Sequence, residues 1–290
     1  IEDGWQVVGV DDLSTGRIAN VNDHAVNKRM KLYAGIDFAS PIIMSMIEND
    51  AFDVIFHLAA LPSVQFSIEQ PSISTDNNLM KSVRLIDACR AKKVRLIFAS
   101  SAAVYGNRIS IPTIEKFKHP MTPYALQKSY IEDFLSMSHS LYGLDCVSLR
   151  FFNVYGPRQL ANDAYATVIA AWCSAIKNGK PLRFDGTGEQ TRDMCYVSDV
   201  VDALLLAAMS GTSFDASCLN VGTCRQTSNS ALMRMFRERV ADISVINAPS
   251  RVGDIKSSCA DISNTMKRLG YTPKIDIKKG LKQVFEWWKI

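Results

Sequence analysis

Val94-Arg-Leu-Ile-Phe-Ala99 is apolar on both faces and runs into Ser100-Ser101. A run of this kind suits a parallel strand buried between helix layers. Two earlier runs repeat it: Trp5-Gln-Val-Val-Gly-Val10, ending at Asp11-Asp12, and Phe52-Asp-Val-Ile-Phe-His-Leu58. Between the second and third runs, Leu79, Val83 and Ile86 fall at helical spacing and predict a helix over 72–91. Beyond the third, Ile131, Phe134, Leu135 and Leu141 predict another over 124–142, and Gly143 stops it before a further strand over 145–151. This alternation makes a doubly wound α/β fold, Rossmann-like with a parallel sheet, the expected architecture.

Past residue 155 the pattern loosens. It predicts helices over 165–178, 197–209 and 277–289, with short strands over 182–184 and 217–221. There is no internal repeat and no low-complexity linker, so a smaller C-terminal α/β domain packed on the first is expected.

The chain has 290 residues, 47% hydrophobic and 21% charged, with a net charge of +4, which fits one large unit or two closely packed domains. The positive charge is spread out, with no basic run interleaved with aromatics, so no nucleic-acid partner is expected. No apolar stretch has the length of a membrane span and no signal peptide precedes the first strand-like run, which predicts a cytoplasmic protein without membrane attachment. Seven cysteines, with no C-x-x-C pair, argue against a disulfide framework and against a metal site.

Tyr124 precedes Lys128 by four residues. A phenol titrates near pH 10, so a cation held beside it in a poorly hydrated site is needed for it to take a proton from a hydroxyl near neutral pH. Spacing alone is weak evidence: at ordinary lysine usage, roughly one position in seventeen, about half a Tyr-x-x-x-Lys match is expected by chance. The surroundings decide.

In chain order come Asp11-Asp-Leu-Ser-Thr-Gly16, His57-Leu-Ala-Ala60, Asp76-Asn-Asn78, Ser100-Ser-Ala-Ala-Val-Tyr-Gly106 and Pro123-Tyr-Ala-Leu-Gln-Lys128. Leu149-Arg-Phe-Phe-Asn-Val-Tyr-Gly-Pro-Arg-Gln159, Gly186-Thr-Gly-Glu-Gln-Thr-Arg-Asp193 and Arg251-Val-Gly-Asp254 follow. In order and spacing the chain resembles the extended short-chain dehydrogenase/reductase family, specifically its NAD-dependent nucleotide-sugar 4-epimerases, over nearly its whole length.

The resemblance implies an NAD-binding Rossmann domain over 1–155 and a UDP-sugar domain over 156–290, with segments around 192–222 packing back on the first. Tyr124 would be the base at the sugar 4-hydroxyl. Lys128 would lower its pKa and hold the nicotinamide ribose, and Ser101 would bond the same sugar oxygen. Asp11 and Asp12 would meet the adenosine ribose, favouring NAD over NADP because a carboxylate repels a 2′-phosphate. Asp37 and Phe38 would lie at the adenine; Leu58, Ala59 and Ala60 at the strand end facing the cofactor; Asn78 and Phe152 at the pyrophosphate and nicotinamide.

For the substrate, Asn153, Arg192 and Arg251 match groups that grip two phosphates, a task suited to the guanidinium fork. Asp254 matches a carboxylate at the uridine ribose and Phe184 a contact to uracil. Ser63, Ala102 and Val168 match other pocket positions. Ser258 stands where a bulky tyrosine closes the sugar pocket in some galactose epimerases, so a small residue leaves room for an N-acetyl group. Ala102 and Ala103 replace the Asp-Glu pair of relatives that dehydrate their sugar, which leaves that chemistry without a proton carrier. The expected reaction is interconversion of UDP-GlcNAc and UDP-GalNAc, with UDP-glucose and UDP-galactose as the alternative.

Family members open with a strand and a Gly-rich turn that holds the pyrophosphate. This sequence reads as starting after them, so a strand between 5–10 and 52–58 is expected to be missing, leaving two edges unpaired. The expected explanation is an incomplete sequence of a full-length enzyme; a shortened, catalytically silent sugar-nucleotide-binding protein is the competing reading, against which the intact Ser101, Tyr124 and Lys128 speak. The helices carrying Leu79/Val83 and Ile131/Phe134 match the pair through which such enzymes form homodimers.

Overall fold

Branched and aromatic runs form the strands, as their packing on a pleated surface favours. In the computed structural model, which describes residues 4–21, 27–49, 52–90, 92, 94–107, 110–161, 166–250 and 255–290, the first five are Val7–Asp11 (β1), Met30–Ala34 (β2), Val54–His57 (β3), Arg95–Ser101 (β4) and Cys146–Phe151 (β5). Shorter ones follow: Val154–Tyr155 (β6), Leu182–Asp185 (β7), Thr191–Arg192 (β8), Cys195–Tyr196 (β9), Cys218–Val221 (β10), Thr227–Ser228 (β11) and Val245–Ala248 (β12). The helices are Pro41–Glu48 (α1), Val64–Glu69 (α2), Pro71–Thr75 (α3), Lys81–Cys89 (α4), Pro123–Tyr142 (α5), Val168–Lys177 (α6), Val197–Met209 (α7), Asn229–Arg239 (α8), Ser263–Leu269 (α9) and Ile277–Trp288 (α10).

Four parallel strands form the main sheet in the order β10-β5-β4-β3. The strands β1 and β2 pair in parallel as a separate sheet. Among the described residues no strand joins β1 to β3, the place where the sequence reading leaves a gap. Three small pairs, β6-β9, β7-β12 and β8-β11, organise the C-terminal half.

Alternation along β4 explains the two helix layers. Leu96 and Phe98 point to one face, where Ile43, Ile86, Ile131 and Leu135 from α1, α4 and α5 cover them. Ile97 points to the other, against Ala203, Leu204 and Ala207 of α7. A third cluster, around Trp172, Leu182, Phe236, Leu281 and Phe285, is the core of the C-terminal half. Among the described residues no helix is long and apolar enough to cross a membrane.

Several elements differ from expectation. The helix foreseen over 72–91 is α3, a π turn over Asp76–Met80 and then α4. The strand β2 and helices α1, α2, α8 and α9 were not foreseen, because they are short and carry little periodic signal. Ile131 is fully buried, and Leu79 and Phe134 also pack on the core, so these apolar stripes serve the sheet. The exposed stripe on α5 is instead Leu126, Tyr130, Met137 and Leu141.

Candidate active site

Parallel strands bring their carboxyl ends to one edge, where open α/β sheets bind ligands. Asp11 ends β1, His57 ends β3 with Leu58–Ala60 beyond it, Ser101 ends β4, and Phe152-Asn153 follow β5. The first turn of α5 lies at this edge. Thr122 caps it by accepting from the Ala125 N–H, and Pro123 occupies the first helical position. The Tyr124 N–H, one of the donors a helix start leaves without an internal partner, is met by the Ser67 hydroxyl at 3.1 Å.

Tyr124 is 8% exposed and Lys128 3%. The Ser101 hydroxyl faces the Tyr124 phenol and accepts from the Ala103 N–H at 3.1 Å. The Lys128 ammonium donates to the Ala99 carbonyl at 2.7 Å, lies 4.6 Å from the Phe98 ring centre and 5.8 Å from that of Tyr124. Burial pushes the phenol up to about 12, opposed only by the neighbouring Ser101 hydroxyl. Burial likewise pulls Lys128 down to about 7. In the protein alone, enclosure therefore outweighs any lowering of the Tyr124 pKa by Lys128, contrary to the sequence expectation. The ammonium's nearest partners are the carbonyl and the Phe98 ring.

His57 lies beneath this pair. Its Nε2 is 2.7 Å from the Ser82 hydroxyl, and burial, with the Lys128 ammonium nearby, pulls its pKa to about 3. It is neutral at physiological pH.

The residues expected at the cofactor fall into two groups. Asp11 and Asp12 are exposed, and each accepts a backbone N–H from the turn after β1, Leu13 and Ser14 respectively. Leu58 and Ala59 are exposed beyond β3, with Ala60 half-buried. Asp37 is committed to Lys81 at 2.5 Å; burial works against its charge, but the Lys81 and Ala39 bonds prevail and lower its pKa. The Phe38 ring packs 4.9 Å from His57.

Two cofactor expectations change. Phe152 is 1% exposed, its ring in the core beside Tyr105, so its backbone rather than its ring can meet a ligand. Asn78 is also buried: its Oδ1 accepts from Leu61 N at 2.7 Å and its Nδ2 donates to Leu61 O and Gln127 Oε1. It pins the turn after Ala60 instead of reaching outward.

Among the substrate expectations, Asn153 is exposed, and Ala102 is half-buried in the single turn Ala102–Tyr105. The Ser63 hydroxyl caps α2 through Phe66 N. Val168 opens α6, and Phe184 stacks on Trp172 at 6.1 Å. Arg192 bonds the Thr191 carbonyl from β8. Ser258 lies alongside, its N–H donating to Thr191 O, with a buried hydroxyl lacking a partner among the described residues. Arg251 and Asp254 lie outside the described residues. The sequence reading passed over Glu132 and Gln127, although Tyr124, Lys128 and Glu132 recur every four residues and so share a helix face.

The sequence pattern described as the NAD dependent epimerase/dehydratase family matches residues 1–222. The chain belongs to that family. It is 34% identical to the UDP-glucose 4-epimerase of Mycolicibacterium smegmatis, over all of this chain and 92% of that protein. It is 29% identical to the UDP-glucuronate 4-epimerase of Thermodesulfobacterium geofontis, over all of this chain and 90% of that protein. Among solved structures it is similar to the UDP-N-acetylglucosamine 4-epimerase of Methanobrevibacter ruminantium M1 in complex with UDP-N-acetylmuramic acid, with a TM-score of 0.90 and 35% identity over 98% of this chain and 90% of that one. The UDP-glucuronic acid 4-epimerase of Bacillus cereus, in complex with UDP-glucuronic acid and NAD, gives a TM-score of 0.91 at 26% identity over 99% and 92%.

Proposed function

We propose that the chain is an NAD-dependent UDP-hexose 4-epimerase acting on UDP-GlcNAc and UDP-GalNAc. The observation that carries this reading is the buried Tyr124 phenol facing Ser101 at the carboxyl edge of the sheet, with the Lys128 ammonium buried beside it. The residues fit NAD. Among the described residues the Lys128 ammonium makes one hydrogen bond, which leaves two of its three N–H donors for ribose hydroxyls. The exposed carboxylates of Asp11 and Asp12 suit the other ribose.

When bound, NAD supplies a hydride acceptor and, in its oxidised ring, a positive charge. Tyr124 takes the proton of the sugar 4-hydroxyl at its phenolic oxygen and returns it. Ser101 bonds the same sugar oxygen and keeps the proton path short. Lys128 contributes the fixed cation that a phenolate needs in this enclosure. Ala102 and Ala103 offer no proton carrier, which disfavours dehydration. Asn153, Arg192 and Arg251 hold the two phosphates, Asp254 the uridine ribose and Phe184 the uracil.

The preference for an N-acetylated sugar rests on the small Ser258 and on the Ser63 turn. UDP-glucose and UDP-galactose are the alternative, which the name of the M. smegmatis relative favours. The working unit is a homodimer in the cytoplasm. Exposed Leu126, Tyr130, Met137 and Leu141 on α5, with Ile73 and Met80 beside them, offer a second copy an apolar face. Five buried free thiols, Cys89, Cys146, Cys173, Cys195 and Cys259, suit a reducing compartment.

The test has two parts. Denatured protein should release NAD, read by absorbance and fluorescence; a preparation that is empty and fails to bind added NAD sinks the reading. Tyr124→Phe should abolish interconversion while calorimetry still detects UDP-sugar binding, and unchanged turnover refutes the role of Tyr124.

A further inference from the structure

Three successive residues of β4 are each engaged by α5. The Ala99 carbonyl accepts from Lys128 at 2.7 Å, the Ser100 hydroxyl donates to Glu132 Oε1 at 2.6 Å, and the Ser101 hydroxyl faces the Tyr124 phenol. The three helix residues stand four apart, so this is one ladder on one face. The proposed chemistry uses two of its rungs.

Glu132 is the third rung and is 2% exposed. It meets Arg150 of β5 through two parallel bonds, from Nε to Oε1 at 2.8 Å and from Nη2 to Oε2 at 2.7 Å. The remaining guanidinium nitrogen donates to the Tyr105 hydroxyl at 3.0 Å and to the Glu115 carbonyl at 2.8 Å. Tyr105 in turn donates to Asn220 of β10. One carboxylate thus ties the third turn of α5 to β4, β5 and β10. A buried ion pair is often no more stabilising than apolar residues of the same volume. Stability alone therefore does not explain a charge here.

We propose that Glu132 is a positioning residue for the Tyr124–Lys128 pair, fixing the register of α5 on β4 and supplying a buried negative charge one helical turn behind the ammonium. The inference rests on the reading of Tyr124 and Lys128 as the reacting pair. Lys128 faces neutral His57 from β3, the Phe98 ring and Ala99 carbonyl from β4, and Tyr124 and Glu132 on its own helix. Among these, Glu132 is the full negative charge. Glu132 itself faces Ser100, Arg150, Cys218 and, at 3.6 Å, Lys118, which also pairs with exposed Asp133. Its charge opposes the burial that draws the Lys128 pKa down.

The experiment compares Glu132→Gln with a double variant, Glu132→Met with Arg150→Met, in which an apolar pair replaces the ion pair. Lys128 is titrated by NMR of its 13Cε in lysine-labelled protein, assigned with Lys128→Met, and kcat and KM are followed against pH. Both variants should lower the Lys128 midpoint by about one unit or more and move the alkaline limb of kcat down with it, leaving KM for the UDP-sugar unchanged. A folded double variant with wild-type midpoint and wild-type kcat overturns the proposal, since restored packing would then be sufficient. An active Tyr124→Phe would defeat the catalytic reading separately, and the NMR midpoint would still decide whether Glu132 acts on Lys128.

Discussion

The Lys128 ammonium donates to the Ala99 carbonyl while the Phe98 ring covers it at 4.6 Å. A cation so enclosed is held at a cost. Its pKa falls from 10.5 to about 7 through burial, so between those values the unfolded chain binds the extra proton and stability rises with pH. Below about 7 both states are protonated and the full penalty applies.

Lys128→Met should therefore abolish turnover yet raise Tm at pH 7, by on the order of 2–4 °C. The gain should shrink as pH approaches 10.5. Scanning calorimetry at several pH values checks this, and a less stable variant at pH 7 would count against the assigned cost.

Ser258 sits beside Arg192 through its bond to Thr191. Ser258→Tyr should suppress turnover of UDP-GlcNAc more than that of UDP-glucose, because the ring occupies the room an N-acetyl group needs. Competition between the two sugars measures the ratio directly. Equal losses would remove the pocket-size argument.

Leu141 is 63% exposed at the end of the α5 stripe. Leu141→Asp with Met137→Asp should halve the mass seen by light scattering without changing the circular dichroism spectrum. A wild-type protein that is already monomeric would dismiss the homodimer.

Gly280 lies inside α10, where alanine is ordinarily favoured by about 0.5–1 kcal/mol. Here a Cβ would come within 2.1 Å of the hydroxyl of buried Tyr155, and overpacking costs about 1–3 kcal/mol. Gly280→Ala should lower the urea midpoint, and adding Tyr155→Phe should recover part of it. An unchanged midpoint would mean the two elements separate freely.

Much of the sheet was legible because Val94–Ala99 is apolar on both faces and Gly143 marks a helix stop before Cys146–Phe151, and α7 because its apolar residues recur at helical spacing. The strand β2, with Lys31 between Met30 and Leu32, was not, since its partner β1 decides its fate. Ser101, Tyr124 and Lys128 were legible as a pattern of residue types. Glu132 was hidden because a carboxylate on a helix reads as solvated surface until a buried arginine from another strand meets it. The inward turn of the Phe152 ring was not legible, because a residue just past a strand end gives no sign of which way its side chain turns.

The division of the sheet has a last consequence. The pair β1-β2 shares no ladder with β3 among the described residues; side chains such as Lys81 with Asp37 and Arg158 with the Asn20 carbonyl connect it to the rest. A ligand reaching from Asp11 to Lys128 would span both units, acting as a keystone, so that grip on the ligand and cooperativity of unfolding rise and fall together.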